Sequence, residues 1–460
     1  MRCPAAVSRP IAGFLLALGL ALWAPVACAQ VAGPMLGHVT QRSANLWAQW
    51  IGLPASAWPP AATVELALEY WPQGREDQRR RSTQAVAAPE SDGVVRWTLS
   101  GLDPGQRYDY RVVWRAGPQQ GQGEPASFAT EPHWQWRTDP PPLRVLAGSC
   151  AYTNEAADDR PGPPYGRDPA IYRVMAAQSP DLTLWMGDNI YWREPDFDDE
   201  VAMSARYAKW RSLPQLQPLL RTGSHLATWD DHDYGPNDAN SSYTFKATSL
   251  KLFQRYWANP SAGLPDAPGV FTRASRSDVE FFILDNRWYR DADRSVLTDK
   301  RMLGTAQMAW LRNALTQSRA TWKVIINGSQ MFNDLNRFEG WNHFPQERQA
   351  FIDWLTAQRV PGVLFLSGDR HFAAAFRVER PGAYPLYEFT CSPLAANAWA
   401  DPGQELISNP TLIAGSVVGR NNFCQLDFSG RRGQRSLSVQ IRDAQGQIAW
   451  SRAIAEQELR

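Results

Sequence analysis

From residue 143 onward the chain alternates short apolar runs of strand composition with amphipathic helical segments, and this alternation restricts the folds available to it. LRVLAGSC precedes the helical DPAIYRVMAAQ, and DLTLWMGDNIY and HLATWDDHDYG then flank a helical region over 198–221. VEFFILDNRWYR, WKVIINGSQ and VLFLSGDRHF continue the series between further helices, and β-type patterning returns after 385. Strands that alternate with helices over roughly 300 residues predict an α/β core with both sheet faces covered.

Residues 30–136 have a different pattern, in which short strands such as SANLWAQW and TVELALEYW are separated by turns. Strands about ten residues apart predict a small antiparallel β-sandwich. LSGLDPGQRYDYRV resembles fibronectin type III domains, in which a tyrosine after the turn packs back on the loop, and Tyr108 or Tyr110 would fill that role.

The length of 460 residues exceeds what one hydrophobic core usually supports, which predicts two domains. The proline-rich TDPPPLRV at 138–145 is typical of a linker. We therefore expect an N-terminal domain over 30–137 and a second domain over 138–460.

Residues 1–29 have the features of a secretory signal peptide: early arginines, the uncharged run IAGFLLALGLALWAPVA and small residues at the end. A lipoprotein acylated at Cys28 is disfavoured, because Pro25 stands where an aliphatic residue is required. No later segment has the ~18 apolar residues of a membrane span. The protein is expected to be exported, either to the periplasm or into the medium, with no stable membrane anchor.

Export makes the cysteines informative, because three of them, Cys150, Cys391 and Cys424, follow the signal. In an oxidising compartment three cysteines suggest one disulfide and one thiol with another role, and spacing leaves the pairing open.

The net charge of +1 gives no electrostatic reason to expect nucleic-acid binding. The 21 tryptophans are interpreted mainly as core residues rather than as a carbohydrate platform.

Polar side chains follow the apolar strands repeatedly, where ligands bind in α/β sheets. Each motif alone is weak, since turns and helix caps also favour Asp and Asn. Together they present thiol, carboxylate, phenol and imidazole groups toward one rim. Signatures of serine hydrolases (Gly-x-Ser-x-Gly) and of HExxH or CxxC zinc sites are absent from the sequence. The residues at the strand ends are Cys150, Asp188, Tyr191, Asp230, Asp231, His232, Asp233, Asn327, Gln330, Asp369 and His371.

This constellation resembles the calcineurin-like metallophosphoesterases, and specifically the alkaline phosphatase D (PhoD-like) family. The resemblance rests on GSC at 148–150, GDNIY at 187–191, WDDHD at 229–233, LDNRWYR at 284–290 and SGDRH at 367–371. It implies an α+β four-layer metallophosphatase sandwich, preceded by the fibronectin type III-like β-sandwich.

The resemblance also implies two metal positions. Cys150, Asp188, Tyr191 and His371 would bind the first metal, and Asp188 would bridge to a second held by Asp231 and Asp369. This ligand set suits Fe³⁺ and Ca²⁺, with Mn²⁺, Mg²⁺ or Zn²⁺ as alternatives. If Cys150 is a thiolate ligand, Cys391 and Cys424 are then free to form the disulfide.

The acidic stretch ATWDDHDYGPND is then explained by a multivalent cation that neutralises it. His232 is expected to contact the phosphate or to protonate the leaving oxygen, and Asp230 or Asp233 to orient that imidazole. For Asp233 and Asp238 themselves, solvation of the loop is the favoured explanation. Asp231 and Arg287 join His232 as predicted catalytic residues. The predicted contacts with the substrate phosphate are Arg287, Arg290, Lys246 and Asn237.

The expected function is a secreted metal-dependent phosphoric ester hydrolase that cleaves phosphate mono- and diesters by attack of a metal-bound hydroxide. Its partners would be small-molecule phosphate esters, and the protein would be a monomer. The alternatives are a phospholipase D-like phosphodiesterase acting on phospholipid head groups, supported if an apolar rim surrounds the site, and a glycan-binding protein with a decayed site.

Overall fold

The computed structural model describes residues 31–51, 63–401 and 403–460, so the predicted signal peptide at 1–29 lies outside the described residues. Within the described part, a nine-stranded sheet and a six-stranded sheet pack face to face and carry helices on their outer faces. A small antiparallel sheet lies against the N-terminal strands of the larger one. The predicted fold class, a four-layer metallophosphatase sandwich preceded by a β-sandwich, is confirmed.

The nine-stranded sheet contains the first apolar runs of the alternating region. β10, β11 and β12 are parallel to one another, so their carboxyl ends lie at the same edge. In spatial order the strands are β21 (Ile448–Ala455), β20 (Ser436–Asp443), β19 (Asn422–Ser429), β10 (Leu143–Gly148), β11 (Leu182–Met186), β12 (Ser224–Thr228), β1 (Val31–Val39), β2 (Ser43–Trp50) and β6 (Val94–Ser100).

The six-stranded sheet contains the remaining apolar runs, and its four central strands are also parallel. Its order is β13 (Thr272–Arg276), β14 (Val279–Ile283), β15 (Trp322–Ile326), β16 (Val363–Ser367), β18 (Ala383–Thr390) and β17 (Ala374–Arg380).

Alternate residues of one strand enter different cores, which explains why these runs are apolar throughout. Leu184 and Met186 of β11 belong to the core between the two sheets, whereas Trp185 belongs to the core beneath the helices on the outer face. The helices are α1 (Ile171–Ala177), α2 (Glu200–Arg211), α3 (Gln217–Leu220), α4 (Lys246–Tyr256), α5 (Gly304–Gln317), α6 (Pro345–Ala357) and α7 (Gln404–Ile407).

Tryptophans fill much of this interior, as the sequence predicted. Seven tryptophans of the described residues are fully buried: Trp47, Trp185, Trp210, Trp229, Trp257, Trp322 and Trp341. Trp185, Trp210 and Trp257 pack on one another with ring centroids 5.2–5.9 Å apart. Such ring contacts stabilise a core beyond the area that they bury.

The N-terminal sandwich consists of β1, β2 and β6 packed against a second antiparallel sheet. Tyr108 is the tyrosine that packs back on the turn, because its hydroxyl oxygen accepts a hydrogen bond from the Asp103 N–H at 3.0 Å. The second sheet has the order β4 (Arg80–Arg81), β3 (Val64–Pro72), β7 (Arg107–Ala116) and β8 (Gln119–Gln122), with β5 (Ala85–Ala87) paired to β3 and β9 (Ala126–Ala129) paired to β7.

The nine-stranded sheet crosses the predicted domain boundary at 137/138. β1 lies parallel to β12, with Leu36 opposite Ser224. Trp47 on β2 donates its indole N–H to the Arg255 carbonyl at 3.1 Å. The boundary itself stays a prediction, but the strands on its two sides share hydrogen bonds and a core.

Cys391 and Cys424 form a disulfide, as predicted, and Cys150 is a free, buried thiol. Closing a loop across 33 residues restricts the unfolded chain. We expect Cys391→Ala together with Cys424→Ala to lower the free energy of unfolding by about 2–4 kcal/mol, measured by urea denaturation. The native protein under reducing conditions should match the double variant, and an unchanged midpoint in both would contradict the prediction.

Candidate metal centre

The predicted site residues meet at the edge where the two large sheets approach each other. Cys150 follows β10, Asp188 and Tyr191 follow β11, and the four residues 230–233 follow β12. Asp369 and His371 follow β16 of the opposite sheet. A Cβ atom on Gly368 would lie 2.5 Å from the Ser149 hydroxyl oxygen, so glycine is required for this close approach.

Four of these residues have left-handed backbone conformations, although none of them is glycine. The φ angles are +61° at Cys150, +52° at Asp188, +69° at Asp369 and +52° at His371. Such conformations cost about 1–3 kcal/mol each and persist where the surrounding structure imposes them. The strained turns at the strand ends direct these side chains toward one point.

The first group of candidate ligands consists of Cys150, Asp188, Tyr191 and His371. The Cys150 Sγ lies 3.5 Å from Asp188 Oδ2, and the Tyr191 hydroxyl donates to the same carboxylate oxygen at 2.9 Å. The Tyr191 hydroxyl also lies 3.4 Å from His371 Nε2. The structure thus brings together all four residues that were predicted to bind the first metal.

Two neighbours that the sequence did not indicate orient this group. The Ser392 hydroxyl donates to Cys150 Sγ at 3.1 Å, and His371 Nδ1 lies 3.0 Å from Asn397 Oδ1. When Nδ1 carries the proton and donates it to Asn397, the Nε2 lone pair faces the other three candidate ligands. Histidines that bind metals usually donate their second ring N–H to a neighbouring group in this way. Burial lowers the pKa of His371 to about 4, so the imidazole is neutral at pH 7.

A second group consists of closely spaced carboxylates. Asp188, Asp231 and His232 can direct ligand atoms to one point, and so can Asp230, Asp231 and Glu339. Burial raises the pKa of Asp369 to about 8 and that of Glu339 well above its ordinary value. Three buried carboxylate oxygens of these residues have no hydrogen-bond partner: Asp230 Oδ2, Asp231 Oδ1 and Asp369 Oδ2.

These observations test whether the donor set fits a cation. Buried polar atoms are normally paired, and crowded like charges raise the cost of ionisation. Burial and the neighbouring Asp188 carboxylate raise the pKa of the Cys150 thiol well above its ordinary value, which a bound cation would reverse. The unpaired oxygens and the crowded acids fit multivalent cations held at this edge.

Arg287 lies within the carboxylate group and is fully buried. Its guanidinium pairs with Asp230 and Glu339 and lies 3.6 Å from Asp231 Oδ1. Its predicted contact with a phosphoryl oxygen stays a prediction. The contacts in the structure are those of a residue that positions carboxylates.

Arg290 and Lys246 also form hydrogen bonds and charge contacts with residues outside the two groups of candidate metal ligands. Arg290 forms a bidentate pair with Asp293 and donates to the Glu339 carbonyl at 2.8 Å. Lys246 donates to the Ser241 carbonyl at 2.7 Å, and its ammonium lies 4.9 Å from the centre of the Trp288 ring. Their predicted substrate contacts stay predictions, and the structure gives Arg290 a role in holding the Glu339 loop.

The acidic loop differs from expectation at Asp230 and Asp233. The Asp230 carboxylate accepts from Asn286 at 2.7 Å and from Arg287 at 2.5 Å. Asp233 is buried, not solvated, and accepts from the N–H groups of Asp188 and Asn189 at 3.2 Å and of Asp230 at 2.6 Å. Asp233 thereby ties the loop after β11 to the loop after β12, and neither carboxylate orients His232 in the structure.

His232 has other neighbours and faces open space. Its Nε2 lies 3.8 Å from Asp231 Oδ2, its ring centre lies 4.3 Å from that of Tyr191, and its side chain is 23% exposed. His232, Tyr191 and the predicted phosphate contact Asn237 all line a cavity of about 810 Å³. An organic group attached to a phosphate at the site has room there.

Comparisons with known proteins identify a matching family and a curated relative. The family model for PhoD-like phosphatases matches residues 164–448. The chain is 25% identical over 252 residues to alkaline phosphatase D of Bacillus subtilis (strain 168), an alignment that covers 44% of this chain and 42% of that protein. The chain thus spans less than half the length of this curated relative.

Two solved structures share the fold. A structure of PhoD matches with a TM-score of 0.74 at 19% identity, covering 92% of this chain and 91% of that one. The purple acid phosphatase PPD1 from yellow lupin (Lupinus luteus) seeds matches with a TM-score of 0.65 at 12% identity, covering 93% and 74%. At these identities the likeness establishes the architecture alone.

Proposed function

Because the chain belongs to the PhoD-like phosphatase family, we propose that it is an exported, metal-dependent phosphoesterase that hydrolyses phosphate mono- and diesters. The observation that carries this proposal is the convergence of a thiol, a phenol, an imidazole and buried carboxylates with unpaired oxygens at one sheet edge. Such an ensemble has little structural purpose without cations.

We assign the two metal positions by the chemistry of their donors. Cys150, Asp188, Tyr191 and His371 would hold Fe³⁺, which suits thiolate, phenolate and imidazole ligands. Asp188, Asp231 and Asp369 would hold Ca²⁺, which prefers oxygen, as the family resemblance implies. Glu339 can direct an oxygen to the same point as Asp230 and Asp231. Mn²⁺, Mg²⁺ or Zn²⁺ are the alternative ions. When bound, these ions lower the pKa of water and neutralise the charge on phosphoryl oxygens.

His232 is the residue that would move a proton. Its imidazole packs against Tyr191 and reaches the cavity, so Nε2 can donate to the oxygen of a leaving alcohol. The main-chain N–H of His232 lies 3.3 Å from Asp188 Oδ1, which fixes the loop that carries the imidazole. Asp233 and Arg287 would hold the surrounding carboxylates in place.

The proposed partners are small-molecule phosphate esters acted on by a monomer. Phospholipid head groups are the second candidate substrates, because the rings of Phe338 and Trp399, 50% and 39% exposed, pack together beside His371. Comparing hydrolysis of a phospholipid with that of a nucleotide diester would separate the two. The intact donor groups favour catalysis over glycan binding by a decayed site.

The disulfide supports a location outside the cytoplasm. The Cys391–Cys424 disulfide is typical of oxidising compartments. Among the described residues, no helix combines the length and apolar character that crossing a membrane requires.

Elemental analysis and a hydrolysis assay test the proposal together. We expect about one iron per chain with retained calcium, and hydrolysis of p-nitrophenyl phosphate and bis(p-nitrophenyl) phosphate that a chelator abolishes. Cys150→Ser should lose iron, whereas Cys391→Ala with Cys424→Ala, which removes the two disulfide-bonded cysteines, should keep it. Zinc or manganese instead would overturn the metal assignment, and active protein without stoichiometric metal would overturn the proposal.

A further inference from the structure

The cavity beside the two groups of candidate metal ligands is much larger than a phosphate needs. Its volume is about 810 Å³, and its walls include His232, Tyr191 and much of the segment 152–165. Pockets of about 300–1,000 Å³ enclose most of a drug-sized ligand. The organic part of the substrate would therefore lie here, and the cavity wall would select it.

Aromatic rings form the part of the wall nearest to the metal ligands. The ring centres of Tyr152 and Tyr165 lie 4.7 Å apart, and those of Tyr152 and Tyr191 lie 4.9 Å apart. Tyr165 is 38% exposed, and its hydroxyl lies 3.5 Å from Nδ1 of the candidate ligand His371. Part of Tyr165 is thus open to solvent beside the candidate metal ligands, and Pro163 and Pro164 continue the wall.

The charged residues of the wall are already paired. Arg193 pairs with Asp159 at 2.6 Å, and Arg160 lies 3.6 Å from Glu194 at the exposed rim. Asp158 pairs with Arg206 at 2.7 Å. The described residues that line the cavity include five other acidic or basic side chains besides His232, and all five belong to these pairs. His232 is the only one of the six that does not. Inside the cavity a second phosphate or a cationic head group would find no unpaired counter-charge, and only Arg160 and Glu194 at the rim, 90% and 71% exposed, can exchange partners.

We infer that the cavity binds an uncharged, flat aromatic group of the phosphate ester, a nucleobase or an aryl ring, and that Tyr165 stacks against it. This inference rests on the proposed phosphoesterase function for its substrates. Rings and prolines offer flat apolar surfaces that suit stacking. A bare sugar phosphate would leave most of the cavity unfilled, so it should be the poorer substrate.

Adenosine 5′-monophosphate and ribose 5-phosphate provide a matched pair, because both release the same kind of primary alcohol. We expect kcat/KM for the nucleotide to exceed that for the sugar phosphate by about tenfold or more, as base stacking implies. Tyr165→Ala should bring the two values together, and Tyr165→Phe should keep most of the difference. Trp136→Ala removes an aromatic ring that is 84% exposed and does not line the cavity, and it should keep the full difference.

Binding of adenosine itself, followed by calorimetry, separates the inference from the proposed function. If the native protein binds adenosine and Tyr165→Ala abolishes the binding, the inference is supported even when neither ester is hydrolysed. The lack of hydrolysis would overturn the proposed function instead. Equal hydrolysis of both esters with no adenosine binding would overturn the inference and leave the function intact. Preference for dodecyl phosphate over the nucleotide would also overturn it, since the cavity would then accept an alkyl chain.

Discussion

Asp188→Asn should lower kcat for p-nitrophenyl phosphate by on the order of 10³-fold or more and should reduce the content of both metals. Asp188 is the one residue that contacts Cys150 and Tyr191 through one oxygen and the His232 N–H through the other. It therefore belongs to both proposed metal positions. Steady-state kinetics and elemental analysis of the purified variant measure the two effects.

The stability of the metal-free variant should change in the opposite direction. Burial and the neighbouring Asp231 and Asp230 carboxylates raise the pKa of Asp188 well above its ordinary value. Because the pKa is raised in the folded state, ionisation of this carboxyl destabilises the fold at any pH above the ordinary pKa of aspartate. Asparagine does not ionise and so removes this destabilisation. In the metal-free state the variant should therefore unfold at the same or a higher urea concentration at pH 7.

The exposed Asp77 supplies a control, because Asp77→Asn lies in the N-terminal sandwich and should change neither property. Native activity in the Asp188→Asn variant would contradict the proposal that Asp188 belongs to both metal positions. A metal-free variant that is much less stable than the native chain would show that Asp188 has a mainly structural role.

Arg287→Met should destabilise the metal-free protein by about 3–5 kcal/mol, because it leaves buried carboxylates without their counter-charge. Arg287 pairs with Asp230 and Glu339, and all three side chains are nearly inaccessible to solvent. Added calcium should reduce the loss, since a cation would supply the missing charge. Urea unfolding with and without calcium gives the comparison.

A double variant separates the loss of charge from the loss of packing. Arg287→Met combined with Glu339→Gln removes one of the stranded carboxylates and should be more stable than Arg287→Met alone. If the double variant is instead the less stable of the two, the arginine stabilises the site through its packing and not through its charge.

The core of the site could be predicted from sequence because it depends on strand ends. Cys150, Asp188 and Asp231 each follow an apolar run, and parallel strands bring their carboxyl ends to one edge. The disulfide followed from assigning Cys150 to a metal, as the family resemblance implied. These relations need only local pattern and a general rule of sheet topology.

The remainder depends on long-range contacts that no local pattern contains. Glu339 lies in a loop well after β15 and reaches the site through Arg287, and Asn397 meets His371 from a loop beyond β18. Asp233 was expected in solvent because acidic loops usually are, whereas backbone N–H groups from two loops enclose it. Such partners are determined by the packing of loops, which a single sequence does not reveal.

The pairing of β1 with β12 has a consequence for how this protein can be divided. Without the N-terminal strands, β12 would become an edge strand with a row of unpaired N–H and C=O groups, a template for pairing with another molecule. The apolar face that Met35 and Trp47 share with the helical layer would be uncovered as well. The N-terminal strands thus protect the nine-stranded sheet against aggregation, and they cannot be exchanged for another module that lacks an equivalent strand.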